Sequence, residues 1–245
     1  MAEGSLVLVD AAAELGGTRV GGGYASDITR TWPCSGTFTP KQRGVHDVVN
    51  AAVEAGLANA VEGSSFSAAS LAASHAILAG LLELGLCQGG SVEELHAAGI
   101  HSLFMPHSLG HSVGIDVHDG CTRPLASQVL RSLGCNLRSD NDGAVFSGSI
   151  NPFAPGMVIT LEPGIYFYPT LLRPAFDSPT QGQYLNQQLL EAEYFDFGGI
   201  RLEDIVVITA GGPPENLSGE LARSADEIEA LMARGQAQRL ALGAK

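Results

Sequence analysis

The strongest constraint on this chain is a set of acidic side chains embedded in apolar runs. Asp10 ends Leu6-Val7-Leu8-Val9, Glu162 ends Val158-Ile159-Thr160-Leu161, and Glu203 lies inside the run from Ile200 to Ile208. Asp27 lies in another β-like stretch, from Tyr24 to Trp32. Short apolar runs of this kind read as strands. A carboxylate placed there is costly unless it is paired or binds a cation. One such acid is as readily a plain salt-bridge partner. Four need several positive partners, and the chain has only 13 Lys and Arg against 26 Asp and Glu. A cation among the four would satisfy them together, if the fold brings distant strand ends to one place.

His111, in Pro106-His107-Ser108-Leu109-Gly110-His111, adds an imidazole to this set. Four carboxylates and one imidazole are hard, oxygen-rich donors, which suit Mn²⁺ better than a thiol-rich zinc site does. Two ions held about 3.5–4 Å apart by bridging carboxylates can share a hydroxide and clamp a tetrahedral intermediate. The residues alone reach a metal site and not a particular reaction.

Composition narrows the partners. A net charge of −13 argues against nucleic acid and against anionic membrane, both of which need basic patches. The acidic surplus by itself is more often a solvated surface than a cation site. With 45% hydrophobic and 16% charged residues, the chain reads as folded and globular, and 245 residues read as a single domain spanning 1–245. Cys34, Cys87, Cys121 and Cys135 are far apart, which argues against a zinc finger and for a reducing, cytoplasmic compartment. Asn216-Leu217-Ser218 matches a glycosylation sequon and is read as a chance triplet. The first residues lack a signal-peptide pattern, and no apolar run is read as long enough for a membrane span.

Local signals outline the elements. Ser5 to Ala13 and Tyr24 to Trp32 read as strands, the first of them buried, joined through a glycine-rich tip at Gly16 to Gly23. Thr39, Pro40 and Gln42 form a helix start with a capping box, and Gly63 ends that helix. A second helix covers Ser67 to Leu84, with Gly85 as its stop. Ser91 and Glu94 cap a third, and Ser224 and Glu227 a last one running to about Arg234. His101 to Asp119 reads as strand and loop, Arg138 to Ala154 as a long loop, and Leu171 to Glu191 as an irregular excursion. Val158 to Leu161 and Gly199 to Thr209 read as strands. Strands and helices mix without regular βαβ alternation, which favours α+β over a doubly wound sheet.

Four segments, in order, carry a resemblance. Tyr24-Ala25-Ser26-Asp27-Ile28-Thr29-Arg30-Thr31-Trp32-Pro33 resembles the second aspartate motif of the Xaa-Pro peptidases, the prolidase and aminopeptidase P branch of the M24 metallopeptidases. Phe104 to His111 followed by Gly114 to Asp119 resembles their histidine motif. Pro155 to Tyr166 and Gly198 to Asp204 resemble the two glutamate motifs. The resemblance runs from Leu6 to about Ala210. It implies a pita-bread fold and two divalent ions, most simply Mn²⁺, with Co²⁺ and Zn²⁺ also fitting. Asp10 and Asp27 would be the first ligands, His111 and Glu162 would hold one ion, and Asp27 and Glu203 would bridge. A hydroxide between the ions would attack the scissile carbonyl, with Glu162 shuttling the proton. His107 and His118 would sit at the substrate, one at the oxyanion and one on the peptide. Arg201 would be a cation beside the ligands or the substrate. His46, His75 and His101 are read as structural or exposed.

The chain also departs from that family. Asp10 comes almost at the start, whereas family catalytic domains carry earlier helices and strands, one of them bearing an active-site histidine, and most members have a separate N-terminal domain. The fold is therefore expected to be truncated at its N-terminal side. Asp10 and Asp27 are 27 − 10 = 17 residues apart, more than in the family, so Gly16 to Gly21 reads as an insertion. A one-residue slip there would turn a ligand to the wrong face. The stretch before Glu162 is long, and Arg138 is the candidate for the prolidase arginine that pairs with a dipeptide's carboxylate.

The expected activity is metal-dependent hydrolysis of Xaa-Pro bonds, first as a dipeptidase on a small peptide with proline at its second position. An Xaa-Pro aminopeptidase acting on longer peptides is the alternative, and a methionine aminopeptidase or creatinase relative is a further enzyme reading. An inactive pita-bread binding module is the reading from another class. A homodimer is among the assemblies left open.

Overall fold

A computed structural model of the chain describes residues 4–14, 16, 23–119 and 152–243. Most of the glycine-rich tip, Arg138, Cys121, Cys135 and most of the long loop before Glu162 lie outside the described residues.

Two strands open the chain, β1 (Leu6–Ala11) and β2 (Ile28–Pro33), paired antiparallel with Asp10 opposite Thr29 and Ala11 opposite Ile28. Side chains alternate along a strand, so this register puts Asp10, Asp27 and Thr29 on one face and Arg30 on the other. Beyond the strands, Ser26 N–H donates to Ala13 O at 2.8 Å, and Glu14 bridges Ala25. The pairing therefore continues toward the tip, and the extra residues do not turn Asp10 away from Asp27. The expectation of a buried first strand is corrected: Leu6 to Leu8 are half-buried, and Val9, Asp10 and Ala11 are exposed. Among the described residues β1 has a strand neighbour, β2, on one side only.

Two long helices follow. α1 (Pro40–Asn59) starts at the Thr39–Gln42 capping box, and α2 (Phe66–Glu83) at Ser65. Val45, Val49, Ala52 and Val53 of α1 and Ala69, Ala73, Ile77, Leu78 and Leu81 of α2 are fully buried against each other and the sheet. Each fully buried Val, Leu or Ile contributes roughly 1.5–3 kcal/mol relative to exposure. The helices approach closely at Gly80, where an added Cβ would fall 2.3 Å from a Val48 methyl. Among the described residues α2 is the one helix long and apolar enough to cross a membrane, by length and composition only. That corrects the reading that no apolar run reaches this length, although the same helix is packed into the core.

α3 (Val92–Ala97) carries the Ser91–Glu94 capping box, and α4 (Ile100–Phe104) follows at once, so His101 is helical rather than part of a strand and loop. The supposed excursion after Leu171 is also regular. α5 (Pro169–Phe176) and α6 (Gln187–Glu193) flank a short 3₁₀ turn, and Leu172 and Leu190 are buried. The last helix, α7 (Ala225–Gly243), runs past the expected end at Arg234.

The remaining strands hold the glutamates. β3 (Val158–Leu161) and β4 (Gly164–Tyr166) are one extended stretch interrupted at Glu162-Pro163. β5 (Gly199–Arg201) and β6 (Asp204–Val207) are another, interrupted at Leu202-Glu203, where one continuous strand was expected. β3 pairs with β6 and β4 with β5, so the two interruptions face each other. Pro163 has no N–H to give to a ladder. The amides of the two glutamates turn elsewhere: Glu162 N–H donates to Leu109 O at 2.7 Å and Glu203 N–H to Thr29 O at 3.0 Å. The short β7 (Glu215–Asn216) pairs with β6, and the sequon residue Asn216 is held there, donating from Nδ2 to Asp204.

Candidate metal centre

The paired interruptions explain how acids from distant segments meet. Each break frees a glutamate from the regular ladder while anchoring its amide to a neighbouring segment. For Glu203 that neighbour is β2, which carries Thr29 and lies two residues past Asp27. For Glu162 it is the His111 segment. This segment runs beside β3 as an extra strand, with Thr160 N–H donating to His111 O at 2.8 Å and Val113 N–H to Val158 O at 3.0 Å. Gly110 permits the approach, since an added Cβ would sit 2.0 Å from Thr160 O.

The result is a compact set of donors in interlocking groups. Asp10, Asp27 and Glu203 offer ligand atoms within 4.8 Å of one another, and so do His111, Glu162 and Glu203. Asp27 also groups with His111 and His118. Glu203 is common to the first two groups, and Asp27 and His111 link across them. His111 Nδ1 lies 3.1 Å from Ser112 O. A carbonyl only accepts, so Nδ1 carries the proton, and Nε2 presents a lone pair. That nitrogen lies 3.5 Å from Asp27 Oδ2 and 3.6 Å from Glu162 Oε1.

The electrostatics show a site short of positive charge. Burial, with Asp10 hydrogen-bonded alongside, pushes Asp27 up to about 6. Burial and the neighbouring Glu203 push Glu162 up to about 8. Burial pushes Glu203 up to about 7, even though Thr29 Oγ1 donates to its Oε2 at 2.7 Å. Burial lowers both His111 and His107, keeping them neutral. Acids whose ionisation is suppressed by burial and by one another would ionise fully around a cation. Oxygen-rich donors in groups that share Glu203 fit a pair of hard divalent ions.

Arg201 borders this set. Its Nη2 donates to Asp10 Oδ2 at 2.5 Å, its Nε to Thr29 Oγ1 at 3.3 Å, and its Nη1 to the Tyr166 hydroxyl at 3.0 Å. Asp10 is the outlying member, with its side chain 47% exposed. The His107 Nδ1 proton goes to Ser108 O at 2.8 Å, so Nε2 accepts from the Tyr166 hydroxyl at 3.0 Å. Tyr166 thus joins His107 to Arg201. His118 is exposed, with its ring edge-on to His111 at 4.3 Å. All eight residues singled out from the sequence, Asp10, Asp27, His107, His111, His118, Glu162, Arg201 and Glu203, line one region.

Thr29 and Tyr166 were missed. Both lay in segments already singled out, Thr29 two residues from Asp27 and so on the same strand face. An open groove of about 1160 Å³ leads up to Arg201 and is lined also by Leu8, Lys41, Tyr166, Tyr168 and Phe197. Away from this region, His46 is fully buried against Phe38. His96 stacks on His101 and meets His75 edge-on, and His96 had not been singled out.

Known proteins resemble this chain in sequence and fold. The chain is 34% identical over 222 residues to a probable Xaa-Pro aminopeptidase of Tuber melanosporum, covering 91% of this chain and 44% of that protein. A variant of Escherichia coli aminopeptidase P superposes with a TM-score of 0.68 at 32% identity, covering 96% of this chain and 42% of that one. The aminopeptidase PepP of Pseudomonas aeruginosa gives 0.66 at 31% identity, with 96% and 43% covered. The fold is therefore the α+β pita-bread fold of these enzymes, and the chain spans less than half the length of the relatives it matches. Residues 1–210 match the sequence pattern of metallopeptidase family M24, and the chain belongs to that family.

Proposed function

We propose that the chain carries the metallopeptidase domain of an Xaa-Pro aminopeptidase and cleaves the bond between a first residue and a following proline. The observation that carries this reading is the pair of ligand groups sharing Glu203, Asp10–Asp27–Glu203 and His111–Glu162–Glu203. In this reading Asp10, Asp27, His111, Glu162 and Glu203 would hold the divalent ions, with Glu203 common to both ligand groups. Mn²⁺ is the ion favoured by the oxygen-rich donors. The bound ions would supply a polarised carbonyl and an activated water.

The protein's own groups do the rest. Glu162, beside His111, accepts the proton of the attacking water and delivers it to the departing proline nitrogen. His118, exposed at the edge of the cluster, donates to the oxygen that gains charge. His107, held by Ser108 and Tyr166, contacts the peptide. Arg201 fixes Asp10 and Tyr166 and faces the groove in which a peptide would lie. The named relatives favour an aminopeptidase on longer peptides over a dipeptidase. The arginine that a dipeptidase would need, with Arg138 as candidate, lies outside the described residues.

The test is hydrolysis by chelator-stripped protein after Mn²⁺ is restored, using Gly-Pro, Ala-Pro and a longer Xaa-Pro peptide. Cleavage should require Mn²⁺ and should fall about 100-fold or more in Glu203→Gln, which removes a shared ligand. Faster turnover of the longer peptide supports the aminopeptidase, and preference for Gly-Pro the dipeptidase. Tight Mn²⁺ binding with no cleavage of any peptide would mean a metal site without turnover, whereas neither binding nor cleavage would overturn the site assignment and favour the binding-module reading.

A further inference from the structure

Thr29 and Arg30 are consecutive on β2, so their side chains leave opposite faces of the strand. Both reach the same neighbour. On the ligand face Thr29 Oγ1 donates to the Glu203 carboxylate at 2.7 Å. On the other face Arg30 Nη1 donates to the Glu203 carbonyl oxygen at 2.7 Å and to the Thr29 carbonyl at 3.1 Å. Thr29 O also accepts the Glu203 N–H at 3.0 Å. The β5–β6 break is therefore gripped from both faces by adjacent residues of a third strand.

Arg30 is itself held. Its Nη2 donates to Asp204 Oδ1 at 2.8 Å and its Nε to Ala222 O at 2.9 Å. Asp204, 1% exposed, also receives Arg223 Nη1 at 2.5 Å, Ser218 Oγ at 2.9 Å and Asn216 Nδ2 at 2.9 Å. Arg223 then reaches Asn50 and Glu54 on α1. A planar guanidinium can hold these three carbonyls and a carboxylate at once, and an ammonium on a flexible stem cannot reproduce that fork.

We propose that Arg30 is a positioning residue for Glu203. With buried Asp204 as its counter-ion, it fixes the strand break that aims the Glu203 carboxylate toward Asp27 and Glu162. This rests on the reading of Glu203 as a shared metal ligand. Arg223 serves as the internal control, because it pairs with the same Asp204 but bonds neither Glu203 nor Thr29.

The experiment uses the whole chain, stripped with chelator and titrated with Mn²⁺ by calorimetry, with Mn²⁺ electron paramagnetic resonance reporting coupling between the two ions. The wild-type chain, Arg30→Met, Arg30→Lys and Arg223→Met are compared, and metal-free thermal unfolding is recorded for each. Arg30→Met should weaken Mn²⁺ binding about 10–100-fold, the range for a lost partner of a metal ligand, and lose the coupled signal. Arg30→Lys should fall between it and wild type. Arg223→Met should keep wild-type affinity and coupling although its metal-free unfolding temperature drops. If Arg30→Met does not fold, Arg30→Lys against Arg223→Met decides the matter. Wild-type affinity in the Arg30 variants, or equal loss in Arg223→Met, overturns the proposal. Failure of the wild-type chain to bind Mn²⁺ overturns the metal-site reading beneath it.

Discussion

Glu203 and Asp204 are neighbours in sequence, both acidic and both 1% exposed, yet they lie on faces of the sheet with opposite chemistry. Asp204 is surrounded by donors: two arginines, a serine hydroxyl and an asparagine amide. Glu203 has one hydroxyl donor, from Thr29, and otherwise faces Asp10, Asp27 and Glu162, with Arg201 at the border. A buried carboxylate satisfied by the protein is a structural element. A buried carboxylate among other carboxylates is stable in its charged form only around a cation. Burial and residue type alone cannot separate the two roles, and the neighbours on each face can.

The largest effect should come from substituting the two acids in turn. Asp204→Asn leaves the largely buried Arg30 without its counter-charge and Arg223 with only the exposed Glu54, and should cost about 3–5 kcal/mol. Metal-free Glu203→Gln should unfold within about 1 kcal/mol of wild type, or later, because it removes a desolvated charge whose ionisation is already suppressed. Equal losses in denaturant melts without metal would break the comparison.

A smaller effect concerns pH. Glu162 and Glu203, pushed up to about 8 and about 7 from 4.5, hold protons in the folded state that the unfolded chain has released. The folded state then binds more protons at these two groups, so their contribution to metal-free stability is full below about pH 4.5 and falls as pH rises toward 8. Asp27, pushed up to about 6, adds to the fall, whereas His46, His107 and His111, all lowered by burial, oppose it around and below pH 6.5, so the fall due to Glu162 and Glu203 is cleanest between pH 7 and 8. Mn²⁺ at about 100 times its Kd should add about 2.7 kcal/mol. It should also reverse the slope, because the ligands bind when deprotonated. Melts with and without Mn²⁺ from pH 5 to 8 check this, and parallel curves would contradict it.

The smallest effect sharpens the contrast from outside the site. His46 is fully buried, neither ring nitrogen has a hydrogen-bond partner, and burial lowers its pKa to about 4. Its neutral form adds stability that is present above pH 6.5 and lost as pH falls through about 4. His46→Leu should stabilise the chain by about 1 kcal/mol, more at pH 5 than at pH 7, leaving Mn²⁺ binding unchanged. A stability loss at pH 5 would refute this account of His46.

The site was more legible in the sequence than the fold around it. Glu162 and Glu203 stand out because a charge interrupts an apolar run, and His111 because it lies in a dense His–Gly segment. Periodicity could not reveal that the Gly199 to Thr209 run breaks at Glu203, because the break is made by cross-strand partners, Thr29 and Arg30. Nor could an apolar run show that β1 would be half-exposed, since exposure depends on what packs against it. α5 and α6 were read as irregular because Pro169, Pro174 and short spans disguise them. They are stabilised by burying Leu172 and Leu190 rather than by local propensity.

The central claim is that the Glu203 face, and not the Asp204 face, is built around divalent cations. Anomalous diffraction from crystals grown with Mn²⁺ tests it most directly. The account predicts two peaks about 3.5–4 Å apart, bounded by Asp10, Asp27, His111, Glu162 and Glu203. Crystals with no anomalous density among these residues, or with Mn²⁺ only on surface acids or at the His75–His96–His101 cluster, would contradict it.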